Sequence, residues 1–348
     1  MGRLEGIAPP DPFRRYQNEL ETELVAATGD DPLHFYTIMR YHMGWVDPQG
    51  SPHKAPQGKH LRPTLCLLAC EVVGGDWHQA LPAAAALELV HNFTLIHDDV
   101  QDKSHKRRHR PTVWSLWGTA QAINAGDGMW ALAQMALLRL RDKKVPHDKV
   151  ILASRLLSGA CLTLCEGQYL DMDFESRPEI EVEDYLRMID AKTAQLFSCA
   201  VVLGALVGGA KEEQIEQLSV FGRQLGLAFQ VQDDLLGIWE KQKTTGKSAC
   251  TDIREKKKTL PVIYALKNAT GNEKIRLSGL YQSRKRRLTS AEVAEVVGIL
   301  DNVGARRHTE EFKQRYQKRA LEQLNKMDIP QPRAAELREM ADFILSQG

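Results

Sequence analysis

Three carboxylates, Asp98, Asp99 and Asp102, fall within five residues of an otherwise apolar stretch, LELVHNFTLIHDDVQD. On a helix Asp98 and Asp102 are one turn apart and share a face. Asp99 lies about 100° round from Asp98, so one cation can still draw on all three. No thiolate stands beside them, which suits a hard, oxygen-seeking cation, Mg²⁺ above all. Mg²⁺ usually binds through one or two carboxylates plus substrate phosphates. Arg107 and Arg108 follow at once, and guanidinium forks match phosphate geometry. The spacing predicts a metal-diphosphate site. A second pair, Asp233 and Asp234, lies in the apolar stretch FQVQDDLLGIWE. Adjacent carboxylates are rare in a core unless paired or metal-bound. One such pair is as often a solvated helix face. Two in matching context suggest facing walls of one cavity.

The other polar groups come in packets. Lys59 and Arg62 sit in GKHLRP, at a loop-to-helix junction, and Lys192 in the mostly apolar IDAKTAQLF. Lys247 and Lys257 flank the polar stretch after the second acidic pair. Cations beside two acidic clusters make sense if a phosphate-rich ligand and metals lie between them. His91 is two helical turns before Asp98 and shares its face; a satisfied core histidine is the alternative. Gln168 and Asp171, in EGQYLDMD, share a face and add possible polar lining.

Helices must position these groups. Helical periodicity dominates, and no convincing strand run stands out. Helices are expected near 12–28, 31–46, 61–74, 77–102, 113–141, 147–171, 181–208 and 212–240, with four or five shorter ones over 258–347. Residues 1–11 read as a loose lead-in, 46–60 as a loop and 241–257 as a mobile loop. No linker divides the 348 residues, so a single all-α domain, a bundle of antiparallel helices, is expected. The net charge of +1 argues against a general polyanion binder, and so against nucleic acid. Four of six cysteines fall in i,i+4 pairs of apolar stretches, which is core usage rather than a disulfide framework. The N-terminus lacks an apolar signal core and no run of 18 apolar residues occurs, so the expectation is a cytoplasmic protein without a membrane span.

At these residues the sequence resembles the trans-isoprenyl diphosphate synthases of the polyprenyl synthetase family, from about Gly58 to Pro261. GKHLRP looks like the family's GKxxRP, and LIHDDVQD contains its first aspartate-rich motif, DDxxD. RRHRPTVW is similar to RRGxPT, AKTAQLF matches the KT motif, and TGKSACTDIREKKKTLP looks like TGKxxxDxxxxKxTLP with one residue more between Lys247 and Asp252. The resemblance implies an isoprenoid synthase fold, a deep central cavity and a homodimer. It implies that Mg²⁺, three ions per active site, is held by Asp98, Asp99 and Asp102 on one side of an allylic diphosphate and by Asp233 and Asp234 on the other. Arg107, Lys192 with Thr193, Lys247 and Lys257 would grip that diphosphate, while Lys59, Arg62, His91 and Arg108 would hold isopentenyl diphosphate. Phe229 and Gln230 would lie near the reacting carbons. Phe93 and Thr94, the fifth and fourth residues before DDxxD, would set chain length, in the pattern of a twenty-carbon product with fifteen carbons next. Three positions depart from the pattern: Gly237 replaces the third aspartate of the second motif, while His109 and Lys256 stand where glycine is usual.

Two other chemistries fit part of the pattern. A terpene cyclase on the same scaffold would ionise a prenyl diphosphate but has no need of the Lys59, Arg62, His91, Arg108 set. A phosphohydrolase could use His97-Asp98 as an HD pair, but would require several histidines and has no use for the second acidic pair.

Overall fold

The structure is a computed structural model, and it describes residues 11–56, 58–239, 250–283 and 287–347. In chain order the helices are α1 (Asp11–Thr28), α2 (His34–Met43), α3 (Leu61–Val72), α4 (Leu81–Gln101), α5 (Val113–Leu138), α6 (His147–Ser176), α7 (Val182–Ile189), α8 (Gln195–Gly208) and α9 (Glu212–Trp239). They continue as α10 (Thr251–Arg254), α11 (Leu260–Asn268), α12 (Gly271–Gln282), α13 (Ser290–Asn302), α14 (Ala305–Lys326) and α15 (Gln331–Gln347). A hairpin of two-residue strands, β1 (Lys106–Arg107) and β2 (Arg110–Pro111), is the only sheet among the described residues. The fold is therefore all-α, as the periodicity implies. The chain divides into two compact units. One comprises residues up to Cys161, Cys199–Ser219 and Met327–Phe343; the other comprises Leu162–Ser198, Val220–Lys326 and the C-terminal end from Ile344.

In the first unit α4 is the central helix, packed against α1, α3 and α5. A 3₁₀ turn over Trp77–Ala80 leads into it, and the Asp76 carboxylate accepts the His78 N–H at 3.0 Å. Pro82 sits in the first turn of α4, where its missing N–H leaves nothing unsatisfied. Ala83 to Leu87 are all fully buried, so the helix is apolar on every side and its short side chains admit close neighbours. It stops at the aspartates by a Schellman motif. Lys103 takes the left-handed conformation, its N–H bonding Val100 O at 3.3 Å and that of Ser104 bonding Asp99 O at 2.9 Å.

The hairpin follows directly. Its two loop residues, Arg108 and His109, both have positive φ, 49° and 64°, the signature of a type I′ turn. Glycine tolerates that region best, which accounts for its usual place at His109. The hairpin escaped the sequence reading because two-residue strands are too short to show a period. Arg110 fixes it to the loop after α2, donating to Tyr41 O at 3.0 Å and Val46 O at 3.2 Å.

In the second unit, α10 to α13 share a core that includes Ile253, Val262, Leu277, Val296 and Leu300. The stretch read as a loop to residue 257 instead carries α10, closed by a second Schellman motif. Lys256 is left-handed, with φ 58°, and Lys257 N–H bonds Asp252 O at 2.8 Å. Residues 240–249 lie outside the described residues. Between α7 and α8 the chain makes a π-helical turn, Asp190–Ala194, invisible in sequence because its residues suit an α-helix equally.

Two helical runs, His147–Ser176 and Val182–Gly208, are long and apolar enough to cross a membrane by length and composition, a test that buried core helices also pass; the second is mostly buried within the protein. One expectation needs correction: Cys165 is exposed on α6, unlike Cys66, Cys70 and Cys161.

Candidate active site

The first acidic cluster is built by the end of α4 and the hairpin. Asp99 is 2% exposed, whereas Asp98 and Asp102 are half-buried, Asp102 being the helix C-cap. Arg107 comes from β1 and clamps Asp99. Its Nε is 3.0 Å from each carboxylate oxygen and an Nη is 2.9 Å from Oδ1. Burial pushes the Asp99 carboxyl up to about 6; Arg107 pulls against this, and the charges of Asp98 and Asp102 add to it.

The next hairpin residue, Arg108, belongs to a different group. It joins Arg62, His91 and His60 around a carboxylate that the sequence reading missed, Glu88. Glu88 is 2% exposed, accepts from Asn92 Nδ2 at 2.9 Å and lies 3.2 Å from His60 Nδ1. Burial opposes its charge, but His60, His91 and Asn92 outweigh that and its carboxyl stays well below the ordinary range. Burial lowers Arg62 to about 10, with Glu88 opposing. It holds His91 well below its ordinary value. The signal for Glu88 was a lone acid in apolar LELVHN, three residues before His91 and so on its face. Lys59 is exposed. Successive hairpin residues thus serve two groups: Arg107 the aspartates, Arg108 the Glu88 cluster.

The second acidic cluster is held differently. Asp233 is half-buried and Asp234 4% exposed on α9. Asp234 Oδ2 accepts from Tyr185 Oη at 2.6 Å and Leu260 N–H at 3.2 Å, and Oδ1 accepts from Gln230 Nε2 at 3.2 Å. Gln230 in turn accepts from Thr193 Oγ1 at 2.8 Å, tying the π-helical turn to the acidic pair. Burial pushes Asp234 up to about 7, with Asp252 adding and its three donors opposing. Lys192, in the same turn, pairs with Asp171 at 2.5 Å. Burial raises the Asp171 carboxyl, but Lys192 and Lys257 together bring it below its ordinary value. The turn fits because Gly167 of α6 has no side chain: a Cβ there would lie 2.3 Å from Lys192 N. Phe229 packs on Phe197, ring centroids 5.3 Å apart. Lys247 lies outside the described residues.

Gly237 has a definite neighbour. A Cβ at this position would stand 2.6 Å from Asp252 Oδ2. The Asp252 carboxylate of α10 lies against the position that carries a third aspartate in many members.

The donors fit Mg²⁺. Both acidic clusters offer hard oxygens. Among the described residues no three His, Cys, Asp or Glu side chains converge to hold an ion alone.

Phe93 is 7% exposed and packs edge-on to His97 at 5.7 Å and near Trp130 of α5 at 5.9 Å. Thr94 is buried, its hydroxyl donating to His91 O at 2.7 Å.

Comparison with known proteins gives this geometry its class. The polyprenyl synthetase family model matches residues 51–300. A (2E,6E)-farnesyl diphosphate synthase of Mycobacterium tuberculosis is 39% identical over 334 residues, 95% of this chain and 91% of the relative. A geranylgeranyl diphosphate synthase of the same organism is 43% identical over 268 residues, 77% of this chain and 75% of the relative. The crystal structure of polyprenyl synthetase from Streptomyces coelicolor A3(2) superposes with TM-score 0.88 at 37% identity, covering 96% of this chain and 98% of that one. The chain belongs to the polyprenyl synthetase family, among its short-chain trans-prenyl diphosphate synthases. It is a transferase of prenyl groups with the isoprenoid synthase fold.

Proposed function

We propose that the chain condenses isopentenyl diphosphate head-to-tail with an allylic diphosphate, giving a short-chain trans product. The observation that carries this is that successive arginines beside an acidic cluster take different carboxylates: Arg107 clamps Asp99, while Arg108 lies by Gly58 next to Glu88. A terpene cyclase would need only one diphosphate group. Asp98, Asp99, Asp102, Asp233 and Asp234 act as the Mg²⁺ ligands. Mg²⁺, when bound, neutralises charge on the leaving diphosphate. Arg107, Lys192 and Lys257 add fixed positive charge to the same leaving group, so that the allylic C–O bond ionises. Lys59, Arg62, His91 and Arg108 hold isopentenyl diphosphate, whose alkene attacks the allylic cation; the released diphosphate then takes up a proton, which restores a double bond. Phe229 lines the reacting carbons, and Thr193 and Gln230 orient Asp234. The family match runs through residues of both compact units, which supports one polyprenyl synthetase domain over 1–348.

The product proposed is geranylgeranyl diphosphate, with farnesyl diphosphate as the alternative. Its support is the single buried aromatic Phe93 beside the small Thr94. A homodimer is supported by exposed apolar residues on α5 and α6, among them Met135 at 63%, Ile151 at 64% and Leu162 at 64%. The site of action proposed is the cytoplasm.

Incubation with Mg²⁺, isopentenyl diphosphate and each allylic primer in turn, followed by product identification, tests the reading. A twenty-carbon product is expected; cyclised hydrocarbon, or no use of isopentenyl diphosphate, would overturn it. Phe93→Ala opens volume beside Trp130 and should lengthen the product. An unchanged distribution from the folded variant would place the floor elsewhere.

A further inference from the structure

Arg62, Arg108, His91 and His60 are half-buried, and the carboxylate among them is almost completely buried. Its Oε1 accepts from Asn92 Nδ2 at 2.9 Å and lies 3.2 Å from His60 Nδ1. Arg108 is brought close by Gly58, where a Cβ would meet an Arg108 Nη at 2.8 Å and Glu88 Oε1 at 3.6 Å. Glu88 is also the acid that acts on the charge of Arg62. Two guanidinium groups that share the influence of one carboxylate repel each other in a partly desolvated site. One carboxylate neutralises part of that charge and leaves a positive remainder for a diphosphate.

We propose that Glu88 is the resident counter-charge of the isopentenyl diphosphate receptor. It keeps Arg62 and Arg108 assembled while no diphosphate is bound, and it competes with the diphosphate for them, setting that substrate's affinity. This rests on the reading of Arg62 and Arg108 as isopentenyl diphosphate ligands. Glu88 touches no reacting atom and acts through the arginines, as a positioning residue. A ligand that binds the native state stabilises it more the tighter it binds, so the competition is measurable without turnover.

Thermal melts of the full chain in EDTA, with and without isopentenyl diphosphate and with no allylic substrate, test the proposal. Glu88→Gln keeps the shape and the Asn92 contact but removes the charge. Its ligand-free melting temperature should fall by several degrees. The rise produced by isopentenyl diphosphate should exceed that of the wild type. In steady state its KM for isopentenyl diphosphate should fall by about threefold or more, with the allylic KM unchanged. Combining Glu88→Gln with Arg62→Gln should cost less than the sum of the two, because the repulsion goes with either charge. A Glu88→Gln protein that is destabilised yet shows a wild-type or smaller response to the ligand would make Glu88 a packing residue and overturn the proposal. If Glu88→Gln folds only with isopentenyl diphosphate present, the proposal stands; if neither the ligand nor Arg62→Gln rescues it, the proposal fails. A folded Arg62→Gln protein with a wild-type ligand response would instead refute the receptor reading itself.

Discussion

Asp99 and Asp234 are both buried carboxylates, each beside a half-buried aspartate on an apolar helix, yet different groups hold them. Asp99 is clamped by a cation, Arg107, on a surface hairpin. Asp234 is held by neutral donors: a tyrosine hydroxyl, a glutamine amide and a backbone N–H at the start of α11. A charge partner can be exchanged for a diphosphate, because the guanidinium can turn from one anion to another. Neutral donors fix the geometry without supplying a counter-charge. The first cluster therefore has a holding group that another anion can draw away, and the second a fixed one. The similar DDxx patterns conceal this, since the difference lies in residues far away in sequence.

The largest separation is expected from removing those partners. Arg107→Gln leaves a buried carboxylate without its cation, a loss of about 3 kcal/mol or more in stability. Tyr185→Phe removes one of three donors to Asp234, about 1.5 to 3 kcal/mol. Urea melts measure both, and equal losses would erase the distinction between a charge clamp and a neutral one. In kinetics Tyr185→Phe should lower kcat roughly tenfold while leaving the isopentenyl diphosphate KM unchanged.

Gly237 sharpens the contrast further. Restoring the family's aspartate with Gly237→Asp should raise the Mg²⁺ concentration for half-maximal activity several-fold, because the new Cβ displaces the Asp252 carboxylate that stands 2.6 Å from it. A Mg²⁺ requirement that falls would mean that Asp252 fills no such role.

The smallest effect concerns the two Schellman ends. Lys103 and Lys256 are left-handed, with φ 54° and 58°. Lys103→Gly should stabilise the protein by roughly 0.5 to 1 kcal/mol. Lys256→Gly should gain less, since Lys256 Nζ donates to Ser283 O at 2.6 Å and that bond is lost. Thermal melts of the two variants rank them, and the opposite order would show that the bond contributes little.

Much of this was legible in sequence for a physical reason. Charged groups on apolar helices are costly without a partner, so Asp98, Asp99, Asp233, Asp234 and Lys192 stood out by type and spacing. Long amphipathic helices announced themselves by period, and their bounds fell within a few residues of the expected ones. What stayed hidden depends on contacts between distant segments. Tyr185 looks like an ordinary core aromatic until its hydroxyl meets Asp234, 49 residues away. Asp252 and Gly237 are 15 positions apart with no periodic relation. The hairpin and the π-helical turn are too short or too helix-like to leave a pattern. Glu88 was readable in principle, as a lone acid on the His91 face, and was passed over beside the denser cluster ahead of it.

The central claim is that both acidic clusters serve Mg²⁺ on one allylic diphosphate. Calorimetric titration with a non-ionising allylic diphosphate analogue, with and without Mg²⁺, tests it most directly in the wild type, Asp98→Ala and Asp233→Ala. The account predicts that Mg²⁺ strengthens binding to the wild type and that each substitution alone removes most of that gain. A folded Asp98→Ala or Asp233→Ala protein with the full Mg²⁺-dependent gain would contradict it.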